Sequence, residues 1–427
     1  MTAATFTAAF LAALALSLAL QLWLAQRHAA HVHAHRGAVP PAFADRVGLP
    51  AHQKAADYTV ARTRFGMVET LFDTAVLLAL TLGGVLGALV AWTGSLAFAP
   101  LWQDLALIVA VTLLGSVIAL PFGYWRTFVI EARFGFNRMT LRLWLADLGK
   151  GALLAVVIGL PLAALALWLM RAAGPLWWLW VWGMWIAFQF LALALYPTLI
   201  APLFNKFSPL PEGAARDRIE ALLARCGFAS RGLFVMDGSR RSSHGNAFFT
   251  GFGRGRRIVF FDTLLARLAP DEIEAVLAHE LGHFKLKHVV KRILWMAALS
   301  LAFLALLAWL MGSPWFYEGL GVPPATERPG VALILFSLVL PVFTFLLGPL
   351  ASLYSRKHEF EADAFAAQHA SAAALAQALV KLYEDNAATL TPDPLHSAFY
   401  DSHPPAAIRI ARLSAAGPAP AASPAPA

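Results

Sequence analysis

Charge is what this sequence most lacks. Only 14% of its 427 residues are Asp, Glu, Lys or Arg, against about a quarter in an ordinary soluble domain. With 59% hydrophobic residues, the chain is too apolar for a soluble globular protein and fits a polytopic membrane protein. Cysteine is scarcer still. Cys226 stands alone, which excludes an intramolecular disulfide and a cysteine-rich metal site. It follows the amphipathic run Ile219, Leu222 and Leu223 and reads as a packed helix thiol. No basic residue precedes the first apolar run, and Arg27 comes directly after it, the order of a retained helix rather than a cleaved signal peptide. No internal repeat is visible beyond the apolar runs. In a membrane protein the placement of charge matters more than its sum, so the net +8 carries no expectation of a nucleic-acid partner.

What is abundant is long apolar sequence. Seven runs, near 5–25, 68–93, 101–125, 152–171, 176–200, 290–312 and 331–353, reach the roughly 20 residues a helix needs to cross a bilayer. Basic residues alternate between the connections. Loop 26–67 carries Arg27, Arg36, Arg46, Lys54, Arg62 and Arg64, and loop 126–151 carries Arg126, Arg133, Arg138, Arg142 and Lys150. The turn at 94–100 has none, and 313–330 sets Arg328 against Glu318 and Glu327. That alternation predicts an N-terminus outside and a C-terminus in the cytoplasm. The alanine-rich composition suggests a bacterial inner membrane.

Two regions lie outside the spans. Residues 201–289 open with an amphipathic helix near 213–226. Strand-like runs follow at 232–238 and 256–262, separated by the glycine-rich NAFFTGFGRG. Pro270, Asp271 and Glu272 then suit the first turn of a helix. After residue 354 the pattern is helical through SRKHEFEADAFAAQH, and the end, SAAGPAPAASPAPA, is of disordered composition.

The helix predicted from Pro270 carries the chemistry. The segment AVLAHELGHFKLKH sets His279 and His283 one helical turn apart, on a shared face. Glu280 sits about 100° round from His279, near enough to reach a water at the ion but not placed as a third ligand. Two histidines and a carboxylate around zinc leave one position open, and zinc brings the pKa of a water there to about 7. A neighbouring carboxylate can then take the proton as the water attacks an amide carbonyl. HEFEADAF offers the third ligand as Glu359, Glu361 or Asp363. Glu359 and Asp363 are again one turn apart, so one can bind the ion while the other holds a histidine N–H.

HELGH, SRKHEFEADAFA at 355–366 and SHPP at 402–405 together resemble the M48 metallopeptidases, above all the integral-membrane CAAX prenyl protease 1 family. FVIEARFGFNRMT at 128–140 resembles that family's membrane domain, and YPTLIAPLFNKFSPLPEG at 196–213 its entry into the soluble domain. SSHGNAFFTGFGRGRRIVFFDTLL at 242–265 resembles its substrate-side strand region. The resemblance implies a mainly α fold, with seven transmembrane helices around a chamber and a small α+β zincin-like domain. It implies one Zn2+ per chain held by His279, His283 and Glu359, with Glu280 as catalytic base. Asp363 would support the site and His403 stabilise the oxyanion. Asn246, Ala247 and Phe248 would line the substrate backbone as an edge strand, and Arg409 would join them in binding substrate. A phenylalanine stands at 248 where the family usually has tyrosine, so that hydroxyl is lost. His244 and His288 are expected at the surface or behind the site.

The implied organisation is a membrane domain at 1–200 with five helices, a peptidase domain at 201–413 containing the last two, and a tail at 414–427. The implied partners are the bilayer and a peptide or protein substrate, prenylated or otherwise membrane-associated. A quality-control protease of the HtpX type is the nearest alternative enzyme. A transporter or scaffold with a structural zinc site is the rival from another class. Such a site needs a fourth protein ligand, and the sequence offers no clear one.

Overall fold

The computed structural model describes residues 1–228, 232–250 and 257–415. Its membrane part comprises α1 (Ala3–Ala34), α2 (Leu49–Leu80), α3 (Val85–Gly94), α4 (Pro100–Trp125), α5 (Leu141–Leu154), α6 (Leu160–Ala172), α7 (Trp177–Leu195) and the single turn α8 (Ala201–Phe204). The remainder contains β1 (Phe207–Pro209), α9 (Ala214–Arg225), β2 (Leu233–Met236), β3 (Ala247–Thr250), β4 (Arg257–Phe261), α10 (Asp262–Leu265) and α11 (Pro270–Lys285). Two further membrane helices, α12 (His288–Met311) and α14 (Pro329–Thr344), flank the short α13 (Pro314–Glu318). The chain closes with α15 (Gly348–His369), α16 (Ala372–Asp385), α17 (Pro394–Tyr400) and α18 (Ala406–Ala415).

Among the described residues, six helical bodies are long and apolar enough to cross a bilayer, and α2 with α3 makes a seventh only as a pair bent by 46°. The single span expected at 68–93 is therefore a broken one. Gly83 and Gly84 break it. Gly84 has φ 80, a conformation that costs a side-chain-bearing residue energy, and a Cβ on Gly83 would lie 2.8 Å from the Ala79 backbone. The region 26–67, read as a loop, is mostly helix. Here α1 and α2 run on past their apolar parts and pack side by side, and Arg36 grips the Asp57 carboxylate at 2.7 and 2.8 Å. Widened π turns interrupt the spans at Arg126–Glu131, Ala155–Gly159 and Tyr196–Ile200. Pro161 follows the second and Pro197 lies in the third. A proline frees the carbonyl four residues back, and a widened turn absorbs the mismatch.

The buried core of the bundle lies at one end. It joins Phe10, Leu107, Leu167, Tyr317 and Leu335. These lie at the start of α1, α4 and α14, the end of α6, and the connection after α12. At the opposite end, Val117, Val157, Leu199, Leu294 and Leu350 are exposed. Four of the candidate spans bury only 11% of their most apolar window.

The peptidase part sits at the end opposite that core. Its sheet has the order β1-β2-β4-β3, with β2 and β4 parallel and both outer pairs antiparallel. Ile219, Leu222, Ile258, Phe260, Ile273, Leu277 and Leu375 join the sheet, α9, α11 and α16 in one core. Cys226 is buried in it, and burial pushes its thiol pKa up. The tail expected at 414–427 lies, from residue 416 on, outside the described residues.

Candidate metal centre

The helix α11 forms where the sequence predicts it. Pro270 occupies its first turn, and the Glu272 carboxylate accepts from the Ala269 N–H and from Lys381 Nζ, both at 2.7 Å. An anion at that end complements the helix dipole. The partner helix, α15, continues the last membrane span, so that Pro329–His369 is one helical body of 41 residues. The two helices touch at Gly282. A Cβ there would lie 3.0 Å from Ala362 Cα and 3.1 Å from Phe365 Cβ. A glycine at this position lets the backbones close to a distance at which side chains one turn away on each helix can meet.

They meet as a cluster. Ligand atoms of His279, His283 and Glu359 all lie within 4.8 Å of one another. The two Nε2 atoms are 3.2 Å apart, and Glu359 approaches them at 3.5 and 3.3 Å. Behind them, His279 Nδ1 is 2.8 Å from Asp363 Oδ1. Asp363 in turn accepts two hydrogen bonds from Arg409, at 2.8 and 2.6 Å. Arg409 is thus turned away from the substrate side expected for it. It is 6% exposed, and its guanidinium is engaged by Asp363 beneath the cluster. Of the three carboxylates offered by HEFEADAF, Glu361 also points elsewhere, to His288 Nε2 at 2.8 Å.

The other expected residues surround the cluster. Glu280 is half-buried and makes no hydrogen bond or ion pair among the described residues. His403 is mostly exposed, with Nε2 3.4 Å from Glu359 Oε1 and Nδ1 3.0 Å from Ser402 Oγ. Ala247 and Phe248 lie in β3, at one edge of the sheet, and Asn246 immediately precedes it. Their strand is held from the membrane part. Arg138 N–H donates to Arg241 O at 3.1 Å, and Ser243 N–H to Phe136 O at 3.3 Å. Glu131 receives the Tyr58 hydroxyl at 2.5 Å and pairs with His244 Nε2 at 3.5 Å. His244 is therefore a docking residue rather than a surface one. Its partner lies in the stretch 128–140, but no local pattern in either segment gives the pairing.

Does this constellation fit a metal ion? The Nδ1–H of His279 donates to Asp363, since a carboxylate only accepts, which leaves a lone pair on Nε2. Once the Nε2 proton that a charged His279 carries is displaced, two imidazole nitrogens and a carboxylate converge on one point. Glu359 Oε2 is buried without a hydrogen bond, with His279 Nε2 at 3.5 Å and Arg409 Nη1 at 3.6 Å. Such an arrangement costs energy unless a cation joins it. The donor set, two imidazoles and one carboxylate, suits zinc.

A histidine–histidine–carboxylate cluster carried by two helices at one end of a multi-pass bundle defines an integral-membrane metallopeptidase. Comparison with known proteins agrees. Residues 28–206 match the CAAX prenyl protease N-terminal region of five membrane helices, and residues 209–416 match peptidase family M48. The chain belongs to the CAAX prenyl protease 1 family of M48 metallopeptidases. It is 37% identical to the CAAX prenyl protease 1 homolog of Oryza sativa, over 84% of this chain and 86% of the relative. It is 33% identical to CAAX prenyl protease 1 of Saccharomyces cerevisiae, over 88% of each. The crystal structure of S. mikatae Ste24p superposes with a TM-score of 0.90 at 30% identity, covering 96% of this chain and 99% of that one.

Proposed function

We propose that this chain holds one Zn2+ through His279, His283 and Glu359, and that it cuts membrane-associated substrates at the cytoplasmic face of the membrane. The observation that carries the reading is the convergence of the His279 and His283 Nε2 atoms on the Glu359 carboxylate, one of whose oxygens is buried without a hydrogen bond. Bound there, zinc supplies a Lewis acid that polarises the scissile carbonyl and makes water nucleophilic at neutral pH. The free carboxylate of Glu280 takes the proton as water attacks. Asp363 holds His279 in the tautomer that ligates, and Arg409 neutralises Asp363 from behind. His403, exposed beside Glu359, donates to the oxyanion, where a positioned donor is worth roughly 2.7–4 kcal/mol. The outer side of β3 offers its backbone to an extended substrate by strand addition, beside Asn246, Ala247 and Phe248.

The relatives are named CAAX prenyl proteases, and we carry that substrate class to this chain. The apolar spans directly beside the metal cluster support it, since a prenyl chain is itself apolar and membrane-bound. We divide the chain at 200/201 into a membrane domain and a peptidase domain ending near 413, with a tail beyond. The alternation of Lys and Arg supports an N-terminus outside and a cytoplasmic metal site. The alanine-rich composition supports a bacterial inner membrane.

The test is Glu280→Gln, assayed with a farnesylated peptide and its unmodified twin. The variant should keep its zinc and its melting temperature and lose at least about 10²-fold in cleavage, the scale of general-base removal. Near-wild-type cleavage removes Glu280 from the mechanism. Equal cleavage of both peptides by the wild type removes the prenyl preference.

A further inference from the structure

Among the described residues, no carboxylate pairs with His283 Nδ1. Its Nδ1 faces His288 Nδ1 at 3.0 Å, and His288 Nε2 faces Glu361 Oε2 at 2.8 Å. The protons of this chain follow from its far end. The Glu361 carboxylate only accepts, so His288 Nε2 carries a hydrogen. A neutral His288 then has its lone pair on Nδ1, and His283 must donate its Nδ1–H to it. The remaining lone pair of His283 is on Nε2, the atom that faces Glu359 and His279. Were the polarity reversed, His283 Nε2 would carry a hydrogen and could bind no metal.

We propose that His288, oriented by Glu361, is a positioning residue that fixes His283 in its metal-binding tautomer, and this deepens the zinc reading above and rests on it. Three features place His288 for the task. It is only 4% exposed. Its ring is stacked on His358, with centroids 4.0 Å apart and planes 13° from parallel. The residue before it, Lys287, has φ 59, a left-handed conformation that side-chain-bearing residues adopt at a cost. That turn ends α11 and sends the chain back, so that a residue five positions after His283 lies against its ring.

His288, His358 and Glu361 also bring ligand atoms within 4.8 Å of one another, which raises the possibility of a second ion. The geometry points to the relay instead. Ring lone pairs lie in the ring plane, and two nearly parallel stacked rings do not aim theirs at one point. Both nitrogens of His288 are already engaged.

The experiment compares His288→Leu with His288→Asn in the purified full-length protein, reading zinc affinity by chelator competition and zinc stoichiometry. An asparagine carboxamide oxygen can accept the His283 proton as Nδ1 did, and leucine cannot. His288→Leu should weaken zinc binding about 10- to 100-fold, and His288→Asn should stay near wild type. Glu361→Leu and Glu361→Gln provide the same contrast one step further out if His288→Leu fails to fold, because the glutamine carbonyl still accepts. Unchanged affinity in the leucine variants overturns the proposal. So does equal weakening in His288→Asn, which would mark a packing role, or loss of a second zinc equivalent in His288→Leu, which would mark a ligand. A wild type that binds no zinc sinks the parent reading itself, a result separate from any of these.

Discussion

His279 lies between Asp363 and Glu359, and its proton is the first thing a cation must remove. Burial disfavours the imidazolium, but the hydrogen bonds to Asp363 and Glu359 outweigh it and raise the pKa from 6.5 to about 9. In the metal-free protein the charged ring therefore contributes stability that is fully present below 6.5 and is lost as pH rises through about 9. Zinc has to displace that proton, so its apparent affinity should climb across this window, by up to about tenfold per pH unit. Zinc titrations at several pH values check this, and a flat profile would contradict it. The histidine pair was legible in the sequence because i, i+4 spacing is local geometry. The choice of Glu359 over Glu361 and Asp363 came from the family resemblance and not from spacing, because it depends on how α15 is rotated against α11. Arg409 was misplaced for the same reason: sequence order puts it near the SHPP segment, whereas α18 turns it beneath Asp363.

The pair α11 and α15 depends on one missing side chain. At Gly282 a Cβ would press on the Ala362 backbone at 3.0 Å and on Phe365 at 3.1 Å, and Ala362 is fully buried. Gly282→Ala should therefore cost about 1–3 kcal/mol, as overpacking does. It should also weaken zinc binding, because His279 and Glu359 sit on opposite sides of the displaced contact. Thermal melting with and without zinc would show it; a variant as stable and as tight as wild type would mean the helices can part without consequence. At this scale the sequence reading found α9, β2, β4 and α11 near their true positions, since their apolar periods are strong. It missed the break between α2 and α3, because a Gly-Gly step inside an apolar run does not disturb hydropathy. It also set a boundary at 353/354, where the structure has an unbroken helix.

Across the whole molecule, the packed end of the bundle is tied by Asp104. That carboxylate is fully buried. It meets Arg171 at 2.5 Å, Arg328 at 2.9 Å and the Gly330 N–H at 3.2 Å, and so joins α4, α6 and the start of α14. Removing one partner of a buried ionic network leaves the others uncompensated, at about 3–5 kcal/mol. Asp104→Ala should lower the melting temperature in detergent while the zinc content of the folded fraction stays at wild-type level. A loss of zinc without a loss of stability would place Asp104 in the site's support instead. The class of molecule was legible at this scale from composition and loop charge alone. The packing of the core at one end was not, because it rests on contacts between helices far apart in sequence.

The helical body Pro329–His369, tightened to a 3-10 turn at Phe345–Leu347, ties the metal site to the last membrane span. Glu359 lies roughly 9 Å along the axis beyond residue 353, at 1.5 Å per residue. A rigid rod pivoting at that point by 10° would swing Glu359 by about 1.6 Å, while metal–ligand distances tolerate only about 0.2 Å. Membrane helices tilt to match the thickness of the bilayer around them. The Gly282 contact forces α11 to follow whatever α15 does, so the ligands travel together, as an instrument head travels on its shaft. A change in the tilt of the last span would then carry the metal ligands as a unit rather than pull them apart.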